Sequence, residues 1–173
     1  MSGLRQVFRG QRSSETEQRM RMLIPVAGNE SDERLLRYVC KIAQKKYSEI
    51  TLIYVVEVDQ ELPLDAELPN EVTHGEQVLE NARELLKAVV DGKGSAVSTD
   101  MLQARSAGPA IVDEAVTDES DVIILGAHVM KRHGKRTVGE TVDYVLKNAP
   151  CEVIVLRSSM PESLMQELEM ELE

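Results

Sequence analysis

Between residues 22 and 157, short apolar runs alternate with stretches of helical periodicity, and this constrains the fold more than any other feature. Strands are expected at 22–27, 50–56, 96–104, 122–126 and 151–157. A first helix takes Asn29 or Ser31 as its cap and gathers Leu35, Leu36, Val39, Cys40, Ile42 and Ala43 on one face. After an acidic, proline-punctuated loop at 57–71, a second helix over 72–90 turns Val78, Leu79, Ala82, Leu85, Leu86 and Val89 inward, and Gly92 stops it. A third starts near Gly108-Pro109 and buries Ile111, Ala115 and Val116. A fourth covers 138–148, stopped by Pro150. The expected fold class is α/β, a doubly wound, open, parallel five-stranded sheet with right-handed crossovers.

Strand composition suggests positions within the sheet. The first, second and fourth strands are nearly continuous apolar runs, which suits burial on both faces. The third mixes Ser98, Thr99, Asp100 and Gln103 with Val97 and Met101, which suits an edge. The last, Cys-Glu-Val-Ile-Val-Leu-Arg, is as apolar as a central strand yet comes last. As an edge it needs a cover, and the economical cover is the same strand of a second subunit. That predicts a homodimer, or a larger assembly, joined through 151–157, with Val153, Ile154 and Val155 in the interface. Pro25 conflicts with a central strand, so a bulge or an unpaired amide is expected there.

Two appendages flank this domain of 22–157. Residues 1–21 carry five arginines and two glutamates and read as a flexible basic arm. Residues 158–173 carry five glutamates and no Lys or Arg, with Leu164, Leu168 and Leu172 repeating every fourth residue beside Met165. They read as an acidic amphipathic helix from Pro161, and the two ends could attract. The net charge of −10 disfavours nucleic acid and anionic lipid as partners, and one Phe with no Trp leaves little for base stacking. No apolar run is long enough to span a bilayer and no signal core opens the chain, so a cytoplasmic protein without membrane insertion is expected. Cys40 and Cys151 read as buried small hydrophobes. His74, His128 and His133 lack metal-ligand spacing, so no metal is expected.

Ligands of doubly wound sheets bind where the winding reverses, here between the first and fourth strands. The loops facing that point are Ala27-Gly28-Asn29 and Gly126-Ala127-His128. Gly126 ends a strand, and a flexible loop leads to Gly139 at the mouth of the fourth helix, an arrangement that suits an anion. Lys131, Arg132, His133, Lys135 and Arg136 crowd that loop, a cationic patch in an acidic chain. It suits phosphate, an acidic partner or the acidic C-terminal helix. No nucleophile–base–acid arrangement emerges: Ser106, His128 and Glu140 carry no hydrolase signature, and no enzyme activity is expected.

Met22-Leu-Ile-Pro-Val, Ile53-Tyr-Val-Val, Asp121-Val-Ile-Ile-Leu-Gly-Ala-His and Tyr144-Val-Leu-Lys-Asn-Ala-Pro-Cys together resemble the universal stress protein family over residues 21–157. The resemblance implies the adenine nucleotide alpha hydrolase-like fold, strand order 3-2-1-4-5 and a dimer through the last strand. It also implies a pocket at Ala27, Val55, Gly126, His128, Val129, Gly139, Glu140 and Thr141. Many members bind ATP or a related nucleotide through glycine, two residues, glycine, nine residues, glycine and then Ser or Thr, with an aspartate ending the first strand. Here the spacing stands as Gly126, Val129, Gly139 and Glu140, while Ala27 replaces the aspartate. Val129 adds bulk and Glu140 a carboxylate where phosphate should lie. Thr141 offers a hydroxyl one position later, turned about 100° away on a helix. The expectation is a non-enzymatic stress-response regulator with a degenerate pocket and no cofactor. The alternatives are a genuine sensor of ATP, AMP or a cyclic dinucleotide, and a soluble regulatory subunit of a membrane transporter.

Overall fold

The computed structural model describes residues 19–44, 47–90 and 94–159. In chain order the elements are β1 (Met20–Pro25), α1 (Glu30–Ala43), β2 (Ser48–Glu57), α2 (Pro69–Val90), β3 (Ala96–Ala104), α3 (Ala107–Thr117), β4 (Val122–Ala127), β5 (Met130–Arg132), β6 (Lys135–Thr137), α4 (Glu140–Asn148) and β7 (Glu152–Arg157). Five strands form one parallel sheet in the order β3-β2-β1-β4-β7, and β5 pairs antiparallel with β6 apart from it. The doubly wound α/β architecture and the strand order thus stand as expected.

The continuous apolar runs have a simple cause. Successive strand side chains point to opposite faces, and both faces are covered. Met22, Ile24, Ile50, Leu52, Val122 and Ile124 pack with Leu35, Val39, Leu79 and Leu86 under α1 and α2. Leu23, Ile53, Ile123 and Leu125 pack with Ile111, Ala115 and Val145 under α3 and α4. On β3, Ala96, Ser98, Thr99, Asp100 and Gln103 are exposed, as suits an edge. At the other edge Val153, Ile154, Val155 and Leu156 are half-buried.

Several boundaries and faces differ from expectation. Met20 and Arg21, assigned to the basic arm, start β1, where the Arg21 N–H donates to the Asp121 carboxylate at 2.8 Å. Residues 1–18 of the arm, and the acidic helix expected from Pro161, lie outside the described residues. α2 begins at Pro69, whose fixed φ suits a first helical position, three residues before the expected start. Val116 is 59% exposed and Leu85 36% exposed, so neither is a core residue. Each lies one residue from a buried one, Val116 after Ala115 and Leu85 before Leu86, and one position turns a side chain about 100° off the packed stripe. The flexible loop expected before Gly139 is instead the β5–β6 hairpin, with Lys131 opposite Arg136 and Arg132 opposite Lys135. His133 (φ +50) and Gly134 (φ +75) make its turn through the left-handed region. Cys40 is buried and Cys151, just before β7, is half-buried; both are free.

Pro25 causes no bulge. β1 pairs with β2 along Met20–Pro25 but with β4 only at Met22↔Val122 and Leu23↔Ile123. The Val26 N–H donates to the Ile53 carbonyl at 2.9 Å, so by alternation position 25 faces the β4 side, beyond the last pair there. Proline deprives no β4 carbonyl of a donor at that place. β1 and β4 part at this point, and a cavity opens between their carboxyl ends.

Candidate functional site

The cavity has a volume of about 380 Å³, within the usual range for small-molecule sites. Its walls are the carboxyl ends of β1, β2 and β4 and the first turns of α1, α3 and α4. Of the residues singled out from the sequence, Ala27, Val55, Gly126, His128, Gly139 and Thr141 line it. Val129 and Glu140 do not. Val129 is buried away from the lining, and the Glu140 carboxylate is turned out to Arg132 at 2.5 Å. The bulk and negative charge expected to obstruct the site are thus directed elsewhere. Thr141, a turn of 100° further on, is the residue of that pair on the cavity side.

Three helix N-termini converge here, and they differ electrostatically. At α1, Asn29 caps the helix by accepting from the Ser31 N–H at 2.9 Å. One Asp32 carboxylate oxygen accepts from the N–H groups of Ala27, Gly28 and Asn29 at 2.9, 2.7 and 3.3 Å. At α3, Ser106 makes no side-chain cap, and Glu57 at the end of β2 accepts from the Ala107 N–H at 2.7 Å instead. Both positive helix ends are therefore occupied by carboxylates of this chain. The start of α4 is arranged differently. Gly139 precedes it at φ +97 without a side-chain cap, and nothing lies within 4 Å of where a Cβ would stand. The carboxylates of its first turn are held by cations, Glu140 by Arg132 and Asp143 by Lys147 at 2.7 Å. Helical geometry leaves the first amides of α4 without intrahelical acceptors. The α4 end is the place in this cavity where an anion is best accommodated.

Gly126 has another use than the one expected from sequence. A Cβ there would stand 3.0 Å from the Ser31 Cβ and 3.4 Å from its carbonyl oxygen. Glycine lets the end of β4 pack against the first turn of α1. Sequence reasoning missed Asp32 and Glu57. Asp32 had a signal, because Asn29 followed three residues later by a carboxylate is a capping-box pattern. Glu57 had none, since it caps a helix fifty residues away.

Burial pushes the Asp32 carboxyl above its ordinary range, and its three backbone donors oppose that rise only in part. A carboxyl raised by folding binds protons more readily in the native chain than in the unfolded one. Its contribution to stability is therefore largest at low pH and declines as pH climbs above about 4. In urea titrations at stepped pH, the wild-type midpoint is expected to fall relative to Asp32→Asn over that window, then level off once the carboxylate is ionised. A difference that stays constant with pH would show that burial does not raise this carboxyl.

Burial also pushes the Cys40 and Cys151 thiols up, which disfavours the thiolate needed for redox or nucleophilic chemistry. Among the described residues no group of three or more His, Cys, Asp or Glu could hold a metal, and no helix is long and apolar enough to cross a membrane.

Residues 18–157 match the model of the universal stress protein family. This chain belongs to the universal stress protein family. A universal stress protein of Methanocaldococcus jannaschii is 28% identical over 145 residues, covering 82% of this chain and 84% of that one. The solved structure of a universal stress protein from Archaeoglobus fulgidus superposes with a TM-score of 0.62 at 18% identity, over 79% of this chain and 97% of the other. A universal stress protein from Archaeoglobus fulgidus in complex with dAMP gives a TM-score of 0.60 at 15% identity, over 79% and 96%. At these identities the likeness of the solved structures speaks for the fold.

Proposed function

We propose that this universal stress protein is a non-enzymatic, dimeric regulator of the stress response that takes an adenine nucleotide in the cavity between β1 and β4. The observation that carries the reading is the asymmetry of the three helix ends: two are closed by Asp32 and Glu57, while α4 starts at an unobstructed glycine beside Thr141. A nucleoside suits the wall of Val26, Ala27, Tyr54 and Val55, and its phosphate the α4 end. The dAMP complex of the Archaeoglobus fulgidus protein supports the same ligand class. Thr141 takes the part of the hydroxyl absent at Glu140. We read no turnover into the cavity, because its two carboxylates, Asp32 and Glu57, are engaged with backbone N–H groups of this chain.

The dimer reading is supported by β7. It pairs with β4 alone in the sheet, and its half-buried Val153 and Val155 extend the core that Leu23 and Ile123 share. A second β7 would cover this edge.

Native mass spectrometry of freshly purified protein tests both parts. The expected spectrum is a dimer carrying mass that matches an adenine nucleotide. Val153→Asp with Val155→Asp is expected to give monomer, at some loss of stability because both side chains also touch the core, and circular dichroism checks that the monomer is folded. A dimer that survives those charges rules out the β7 interface. Apo protein that also gives no heat on titration with AMP, ATP or cyclic AMP rules out the ligand.

A further inference from the structure

The β5–β6 hairpin rises beside the mouth of the cavity, with Met130 at its base in the lining and Val138 and Gly139 directly after it. Lys131, Arg132, Lys135 and Arg136 are all exposed on its three-residue strands. This hairpin already takes one carboxylate, since Arg132 holds Glu140. β7 delivers the chain to the same place, because the Ser158 N–H donates to the Ala127 carbonyl at 2.7 Å, at the end of β4 and three residues before the hairpin. From there the sequence continues through residues 160–173 with Glu162, Glu167, Glu169, Glu171 and Glu173 and no Lys or Arg.

We propose that the acidic C-terminal segment, residues 160–173 of the same chain, docks on the cationic β5–β6 hairpin and competes there with the phosphate of a ligand bound at the start of α4. The occupant follows from charge complementarity and from the exit point. Fourteen residues span roughly 20 Å even when coiled into a helix, while a three-residue strand measures about 10 Å, so the segment reaches the whole hairpin. Exposed ion pairs are individually weak. Tethering supplies an effective concentration on the order of millimolar, which suffices for a reversible contact. Such a contact is sensitive to salt, because the charges lie in water and are screened within about 10 Å at 0.1 M. The segment then acts as a built-in competitor: a ligand with more phosphate charge displaces it more readily, which would report nucleotide charge at the surface of the protein.

The docking part stands by itself, whereas the competition part rests on the nucleotide reading above, and two measurements keep them apart. In the first, full-length protein is treated at low salt with a carbodiimide, which joins a lysine amine to a carboxylate only when they touch. Peptides linking Lys131 or Lys135 to a glutamate of 160–173 are expected, and they should disappear in 0.5 M sodium chloride. Links from the segment spread evenly over Lys41, Lys87 and Lys147 would overturn docking. In the second, ATP is titrated into wild type and into full-length protein with those five glutamates changed to glutamine. The variant is expected to bind ATP about three- to tenfold more tightly at low salt and equally at high salt. Equal affinities at low salt, with the hairpin links present, would overturn competition. ATP binding to neither chain would overturn competition together with the nucleotide reading, and would leave docking supported by its own links.

Discussion

Valine in place of Gly139 is expected to weaken AMP and ATP binding by at least about a hundredfold, while the fold stays intact. The backbone there sits at φ +97, a region that a β-branched residue avoids. Relaxing it rotates the entry to α4 and moves the first-turn amides away from a phosphate. If the backbone holds instead, the valine methyl groups fill the open space beside the helix end, where nothing now lies within 4 Å of the Cβ position. That same openness is why the core should not notice the change. Thr141→Val is the milder companion: it keeps the shape of the side chain and removes the hydroxyl from the lining, for an expected loss of about tenfold. Isothermal titration of wild type and both variants reads the effect, with circular dichroism as the control for folding. A Gly139→Val protein that binds AMP like wild type would remove the α4 end from the site.

The largest expected stability effect is at Ile123. It is the second residue of β4, paired with Leu23 of β1 and Val153 of β7, and is fully buried. Its neighbours on that face of the sheet include Leu23, Ile53, Ile111 and Val145, on strands and helices that rigid sheet pairing holds apart. Ile123→Ala removes three carbons and leaves a cavity that these elements cannot close, at a cost of about 3–4 kcal/mol. That is a large share of the 5–15 kcal/mol by which domains of this size are typically stable. Val116→Ala is the contrasting case, because the side chain is 59% exposed, and its effect should stay within about 0.5 kcal/mol. Guanidinium titrations of the two variants decide the matter. Comparable losses at both positions would mean that α3 packs with the other face inward.

Much of the fold was legible in the chain itself, and for a shared reason. A strand covered on both faces has to be apolar at successive residues, so 22–24, 50–53 and 122–125 declared themselves as central, and the polar 98–100 as an edge. Asn29 could be read as a cap because its partner, the Ser31 N–H, is two residues away. The faces of α2 and α3 were less legible. Leu85 and Val116 are apolar and adjacent to core residues, and only the way each helix settles on the sheet turns them outward. The hairpin was missed because four cations in six residues carry no apolar alternation; its turn comes from His133 and Gly134 in the left-handed region.

At the site, the reversal of winding and the family resemblance together pointed to Gly126 and Gly139, with Ala27, Val55, His128 and Thr141, and all six line one cavity. What each residue does there depends on direction, which spacing does not encode. The family motif placed the Glu140 carboxylate against phosphate, whereas Arg132, brought close by the hairpin, draws it outward. Gly126 lines the cavity and also admits Ser31.

The order of apolar and polar residues thus determined which segments become strands and helices, which strands lie inside the sheet, and at which end of it the cavity opens, because burial on two faces and helical periodicity are local demands that a linear chain can meet. Tertiary structure decided which helix end remains open to an anion. That outcome depends on Glu57 reaching the start of α3 from fifty residues away and on Arg132 turning Glu140 aside, and such long-range electrostatic pairings exist only once the sheet has brought the strand ends together.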